Sequence, residues 1–176
     1  IGSPSGVRNV GLGLAQGEFV GFLDADDAYL PDSLRCRLAL FEQNPAINAV
    51  YGFASYMDAS GQPIDEGLKL RQDAAGNWLL PQGYSHQWPF LAAGSLSCML
   101  SGLLLRRSFQ QAIGLFNEAL YSAEDYEYYL RLFLANHDSI VAMPRYVYRY
   151  RVYPNSLTKV NQNWERILNC ALSINQ

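Results

Sequence analysis

Gly17-Glu18-Phe19-Val20-Gly21-Phe22-Leu23-Asp24-Ala25-Asp26-Asp27 is a short apolar run that ends in three carboxylates within four residues. The run Glu18 to Leu23 is short, apolar and bounded by Gly17 and by acids, so it reads as a buried strand. Asp24, Asp26 and Asp27 then stand at the strand's C-terminal end, where they repel one another unless something gathers them. A hard divalent cation, Mg²⁺ or Mn²⁺, is the natural partner, held by one or two carboxylates and completed by a substrate diphosphate. In an extended or turning segment alternate residues face the same way, which lets Asp24 and Asp26 converge. A solvated turn with a helix N-cap also uses aspartate and is the plainer alternative.

Upstream, Val7, Val10 and Leu14 recur at helical spacing before Gly17 stops the pattern. Downstream, Pro31 is expected to open a helix whose inner face is Leu34, Leu38 and Phe41, and Asn44-Pro45 to close it. Asn48 to Phe53 reads as the next strand. Residues 58–95 are rich in Gly, Pro, Gln and Asp and read as a long, acceptor-side loop region with at most short elements. Leu100 to Leu105 reads as a strand closed by Arg106-Arg107, and Gly114-Leu115-Phe116 as a turn or linker. Asp125 opens an amphipathic helix with Tyr126, Tyr129, Leu130, Phe133 and Leu134 inward. Ile140 to Met143 and Tyr146 to Val152 are strands split by Pro144, and residues 161–176 form a last helix. Early alternation of helix and strand predicts an α/β fold with a mostly parallel sheet, whose ligands sit beyond the strand C-termini.

The whole chain, 176 residues, suits one domain. Apolar residues make up 49% and aromatic ones 13%, enough for a packed core. The net charge of −3 leaves no basic excess for a nucleic-acid backbone, which excludes nucleic acid as the expected partner. Cys36, Cys98 and Cys170 are scattered and odd in number, as for reduced thiols in a cytosolic protein. No apolar run is long enough to span a membrane, and Ile1-Gly2-Ser3-Pro4-Ser5-Gly6 lacks the features of a signal peptide. His86 and His137 read as ordinary surface or core residues.

Four segments stand in a telling order. They are Val7-Arg8-Asn9-Val10-Gly11-Leu12 with Gly17 to Asp27, then Gly114-Leu115-Phe116-Asn117-Glu118, then Glu124-Asp125-Tyr126-Glu127-Tyr128-Tyr129-Leu130-Arg131-Leu132, then Tyr148-Arg149-Tyr150-Arg151 with Ser156 and Thr158. Together they resemble the family 2 glycosyltransferases. The resemblance implies a GT-A fold, a Rossmann-like nucleotide-diphosphosugar transferase sandwich. It also implies an inverting, metal-dependent transfer from a UDP- or dTDP-linked donor to a carbohydrate or lipid-linked acceptor, as in cell-envelope polysaccharide synthesis. By that carry-over Asp24 and Asp26 touch ribose and metal, Asp27 is a further metal ligand, and Arg8 lies near the nucleotide. Asp125 is the general base, with Glu124 the alternative base or an acceptor-binding neighbour. A carboxylate at a helix start is well held for taking an acceptor proton, and equally for capping the helix.

Arg149 and Arg151 are candidates to hold the diphosphate, against a plain solvated strand face. Trp78, Tyr84 and Trp88 offer aromatic faces to an acceptor sugar, or simply pack. Two departures stand out. The sequence opens after the family's first strand, helix and second strand, so the transferase domain is expected to be N-terminally truncated. Tyr153 stands where many relatives carry His. Two other readings follow: a truncated, inactive domain with a binding or assembly role, and a DxD phosphotransferase, against which Ala28 replaces the expected Thr or Val. The expected place is the cytoplasm, or a peripheral one at the inner face of the membrane, with a homo-oligomer left open.

Overall fold

The computed structural model describes residues 3–65, 70–80, 100–120 and 124–153. Tyr84, His86, Trp88, Cys98, Cys170, Ser156, Thr158 and the C-terminal helix expected over 161–176 lie outside the described residues.

Helices α1 (Pro4–Leu14), α2 (Ser33–Gln43), α3 (Arg107–Ile113) and α4 (Glu124–Asn136) surround a sheet whose strands are β1 (Phe19–Gly21), β2 (Ala28–Tyr29), β3 (Ala49–Met57), β4 (Pro63–Ile64), β7 (Leu103–Arg106) and β8 (Ile140–Arg151). A separate two-stranded ribbon joins β5 (Arg71–Gln72) to β6 (Trp78–Leu79). The main sheet runs β1-β7-β3-β8-β2, with β4 on β3. The protein is α/β as expected, but its sheet is mixed rather than mostly parallel. Among the described residues only β3 and β8 pair in parallel; β1–β7, β7–β3, β3–β4 and β8–β2 are antiparallel. For β4 the physical reason lies in the connection: it returns from β3 through a tight turn at Asp58–Gly61, without the long crossover that a parallel partner needs.

Side-chain alternation builds two cores. Ala49, Tyr51, Leu103 and Leu105 face one cluster with Phe22, Phe116, Tyr128 and Leu132. Val50, Leu104, Val147 and Tyr148 face the other with Phe41 and Ile47. Strand β3 contributes to both and is buried along most of its length. The chain does not break at Pro144. Instead β8 runs through it, and the register against β3 slips between Tyr51 and Ala54, so the proline sits in an irregularity where no ladder hydrogen bond is asked of it. Opposite this slip, a Cβ on Gly52 would lie 2.5 Å from Val147 Cγ1, so only glycine fits there.

Three helix faces differ from the expected ones. Val7, Val10 and Leu14 of α1 are exposed, at 60%, 50% and 74%, while Ser5, Gly6 and Leu12 face inward. In α2, which starts after Asp32 rather than at Pro31, Leu34 is half exposed and the inner positions are Ser33, Arg37 and Phe41. Asp32 itself is left-handed (φ 63°), which holds Pro31 outside the helix. Helix α4 buries Tyr128, Tyr129, Leu132 and Phe133 and leaves Leu134 exposed. Its many tyrosines make it apolar nearly all round, so spacing alone does not fix its phase.

Fully buried Arg37 stays satisfied. Its Nε donates to the Ser33 carbonyl at 3.0 Å and one terminal nitrogen donates to Ser33 Oγ at 2.8 Å. The other donates to the Gly102 carbonyl at 3.2 Å, and the guanidinium lies 4.9 Å from the Tyr29 ring centre. No helix among the described residues is long and apolar enough to cross a membrane.

Candidate active site

Strands β1 and β2 occupy opposite edges of the sheet, so the link Phe22–Asp27 crosses the end of the strands between them. That end carries the C-termini of β1, β3 and β8 and the start of β7, the place where sheets of this kind bind ligands. The Asp27 amide donates to the Asp24 carbonyl at 3.0 Å, closing the acidic turn. Ser101, fully buried just before β7, accepts from the Asp24 amide at 3.2 Å and donates to Asp27 Oδ2 at 2.8 Å. The Arg151 amide donates to Asp27 Oδ1 at 3.1 Å. Burial raises the Asp27 carboxyl to about 6; the Ser101 and Arg151 bonds oppose the rise, while the charges of Asp24 and Asp26 add to it.

Arg8 ties this turn to α4. One terminal nitrogen donates to Asp24 Oδ1 at 3.1 Å and the other to Glu124 Oε1 at 2.7 Å. Burial alone would lower the arginine's affinity for its proton, but the Glu124 bond and the Asp24 charge outweigh it and raise its pKa. Next in sequence, Asn9 clamps Phe116: its Nδ2 donates to the Phe116 carbonyl at 3.0 Å and its Oδ1 accepts from the Phe116 amide at 2.8 Å. Asn9 Nδ2 also reaches Glu118 at 2.8 Å. Phe116 in turn stacks on Tyr128 with ring centres 4.0 Å apart. The segments around Arg8, Asp24, Phe116 and Glu124, scattered along the sequence, thus meet at one place.

Asp125 sits in the first turn of α4, partly buried, its Oδ1 accepting from the Tyr126 amide at 2.8 Å. Burial and the neighbouring Glu124 charge push its carboxyl up to about 6, with the Tyr126 amide and Arg8 pulling the other way. A carboxylate poised there accepts a proton more readily than an ordinary aspartate.

Asp26 differs from its neighbours. It is exposed, and its side chain makes no hydrogen bond or ion pair among the described residues. Asp24 is turned to Arg8 and Asp27 to Ser101, so the three acids expected on one ion do not form a cage. Among the described residues no group of three or more His, Cys, Asp or Glu could hold a metal. Mg²⁺ or Mn²⁺ bound with a diphosphate needs only one or two protein carboxylates, and Asp26, without a side-chain partner among the described residues, beside a half-exposed Asp24 fits that donor set.

Arg149 is exposed beside β2, its backbone in register with Ala28. The Arg151 guanidinium is engaged by backbone: its Nε donates to the Asp26 carbonyl at 2.9 Å and a terminal nitrogen donates to the carbonyls of Asp58 and Ala59 at 3.2 and 3.1 Å. Trp78 is 41% exposed and meets Tyr146 edge-on at 6.4 Å. Sequence reasoning missed Ser101 and gave Asn9 no role. A serine inside the apolar stretch Leu100 to Leu105 was the available signal, since a buried hydroxyl needs a partner.

The sequence pattern of "Glycosyl transferase family 2" matches residues 3–110, more than half of the chain. This chain belongs to glycosyltransferase family 2. An uncharacterized glycosyltransferase of Haemophilus influenzae is 31% identical to this family 2 chain over 125 residues, covering 71% of it and 39% of the relative. The chondroitin synthase of Escherichia coli is 29% identical over 132 residues, covering 75% of the chain and 17% of the relative. The chain therefore spans well under half the length of these relatives.

Among solved structures, S. aureus TarS 1-349 in complex with UDP-GlcNAc superposes with a TM-score of 0.65 at 19% identity, over 98% of this chain and 47% of that one. Its complex with UDP gives 0.59 at 20% identity, over 96% and 44%. These matches establish the expected GT-A fold.

Proposed function

We propose that this family 2 chain carries the donor-side and catalytic residues of an inverting glycosyltransferase that moves a sugar from a UDP-linked donor to a glycan or lipid-linked acceptor. The observation that carries the reading is the Arg8 bridge. With 3.1 Å to Asp24 and 2.7 Å to Glu124, it puts the acidic turn and the start of α4 within one guanidinium of each other. A donor held at the turn then presents its anomeric carbon toward α4.

Asp125 takes the proton from the acceptor hydroxyl as that oxygen attacks the anomeric carbon from the face opposite the leaving diphosphate, which inverts the centre. Its raised pKa suits this role near neutral pH. Glu124, already paired with Arg8, is the weaker candidate for base and the better one for orienting Arg8. Asp26 would hold Mn²⁺ or Mg²⁺ against the diphosphate, and the ion would neutralise charge building on the leaving group. Arg151 acts from below, by fixing the Asp26 carbonyl, rather than by gripping phosphate. Exposed Arg149 is the arginine left for the diphosphate. Crystals of the similarly folded TarS with UDP and UDP-GlcNAc favour a UDP-linked donor over a dTDP-linked one.

A thermal-shift screen of UDP- and dTDP-sugars with and without Mn²⁺ tests the reading. The expected result is a Mn²⁺-dependent rise in melting temperature with UDP-sugars. No rise with any nucleotide sugar in either condition refutes it.

A further inference from the structure

We propose that Ser101 is the positioning residue of the acidic turn and that Asp27 is its strut rather than a metal ligand, which leaves Asp26 as the carboxylate aimed at the donor. The proposal rests on the reading of Asp26 given above. Its geometric basis is three hydrogen bonds beneath the turn. Ser101 Oγ accepts from the Asp24 amide and donates to one Asp27 oxygen, while the Arg151 amide donates to the other. Both Asp27 oxygens therefore point to donors inside the protein. Moving either onto a cation would strand a donor that is buried or part-buried, at a cost comparable to a lost charged hydrogen bond.

Ser101 is itself fixed. It is fully buried, and the neighbouring Gly102 carbonyl accepts from buried Arg37 at 3.2 Å. Gly102 has no room for a side chain, because a Cβ there would run into the Gly52 carbonyl oxygen of β3. The hydroxyl thus transmits the rigidity of the sheet to the turn. Arg151 completes the hold by gripping the Asp26 carbonyl at 2.9 Å. The turn is pinned at Asp24, Asp26 and Asp27 through its backbone and through Asp27, and the exposed Asp26 side chain is the part left outside.

Two readouts test this on Ser101→Ala, Asp27→Asn and the double variant: amide hydrogen exchange without ligand, and calorimetry of UDP binding with and without Mn²⁺. Asp27→Asn serves if Ser101→Ala folds poorly, because asparagine still accepts from the Arg151 amide and can donate to Ser101. In Ser101→Ala the Asp24 amide should exchange at least about tenfold faster, the scale of one lost hydrogen bond. Mn²⁺-dependent UDP affinity should fall about tenfold in Ser101→Ala, only slightly in Asp27→Asn, whose side chain keeps both contacts, and no further in the double variant than in Ser101→Ala. UDP affinity without Mn²⁺ should barely change.

Asp27→Asn abolishing Mn²⁺-dependent binding as completely as Asp26→Ala would overturn the strut, and unchanged exchange at Asp24 would overturn the role of Ser101. Should the wild-type protein bind no UDP with Mn²⁺, the reading of Asp26 fails. The exchange result still decides for or against Ser101.

Discussion

Replacing Asp125 by asparagine should stabilise the protein at neutral pH while abolishing sugar transfer. Burial and the Glu124 charge raise this carboxyl from 3.8 to about 6, so ionised Asp125 is disfavoured in the folded state. A rise of roughly two units, at about 1.4 kcal/mol per unit, sets a ceiling of about 3 kcal/mol for the penalty. Solvent reaching the partly buried side chain brings the expected gain to about 1–2 kcal/mol. Asparagine keeps the acceptor for the Tyr126 amide, so no hydrogen bond is lost.

The sign follows from linkage. Above the folded pKa both folded and unfolded chains hold Asp125 ionised, and the folded state bears the full penalty. As pH falls through about 6 the folded state takes up its proton first, and the penalty fades until both states are protonated below about 4. Denaturant melts of wild type and Asp125→Asn across this range should therefore differ most near pH 8 and converge near pH 4. In the wild type, log kcat/KM should fall on the acid side with a midpoint near 6, and the variant should keep donor binding. A variant no more stable than wild type at pH 8, or one that transfers sugar at the wild-type rate, refutes the assignment of Asp125 as a strained base.

Arg8→Ala leaves Asp24 and Glu124 without their shared cation, and should cost about 1–3 kcal/mol in melts together with most of the transfer activity. Arg8→Lys, which cannot fork to both acids, should recover less than half of either loss. Gly52→Ala puts a methyl against Val147 where the register of β3 and β8 slips, and should cost at least about 1–3 kcal/mol by denaturant melt. A near-neutral melt for it would mean that the slip relaxes freely.

Much of the fold was legible because the strands that matter are short apolar runs with sharp punctuation. The strand expected over Glu18 to Leu23 forms over Phe19–Gly21, and Asn44-Pro45 ends α2 at its cap. The cluster of motifs was legible as a pattern, but its cause was not. Only the structure brings Arg8 to Asp24 and Glu124, and Asn9 to the backbone of Phe116. The contacts to Glu124 and Phe116 span 116 and 107 residues, beyond the reach of any local periodicity.

Helix phase failed where composition was uninformative. Helix α4 has apolar or aromatic residues on nearly every face, and α1 turns Ser5, Gly6 and Leu12 rather than Val7, Val10 and Leu14 inward. Arg37 was missed because a charged residue reads as exposed; burial is tolerated here by Ser33, the Gly102 carbonyl and the Tyr29 ring. Arg151, by its place at a strand end a candidate for the diphosphate or a plain solvated face, has its guanidinium engaged by three backbone carbonyls.

Calorimetry of UDP binding to the wild-type protein and to Asp26→Ala, each with and without Mn²⁺, tests the central claim most directly. The account predicts that Mn²⁺ tightens UDP binding in the wild type and has no effect in Asp26→Ala. Equal Mn²⁺-dependent affinity in both proteins would contradict it.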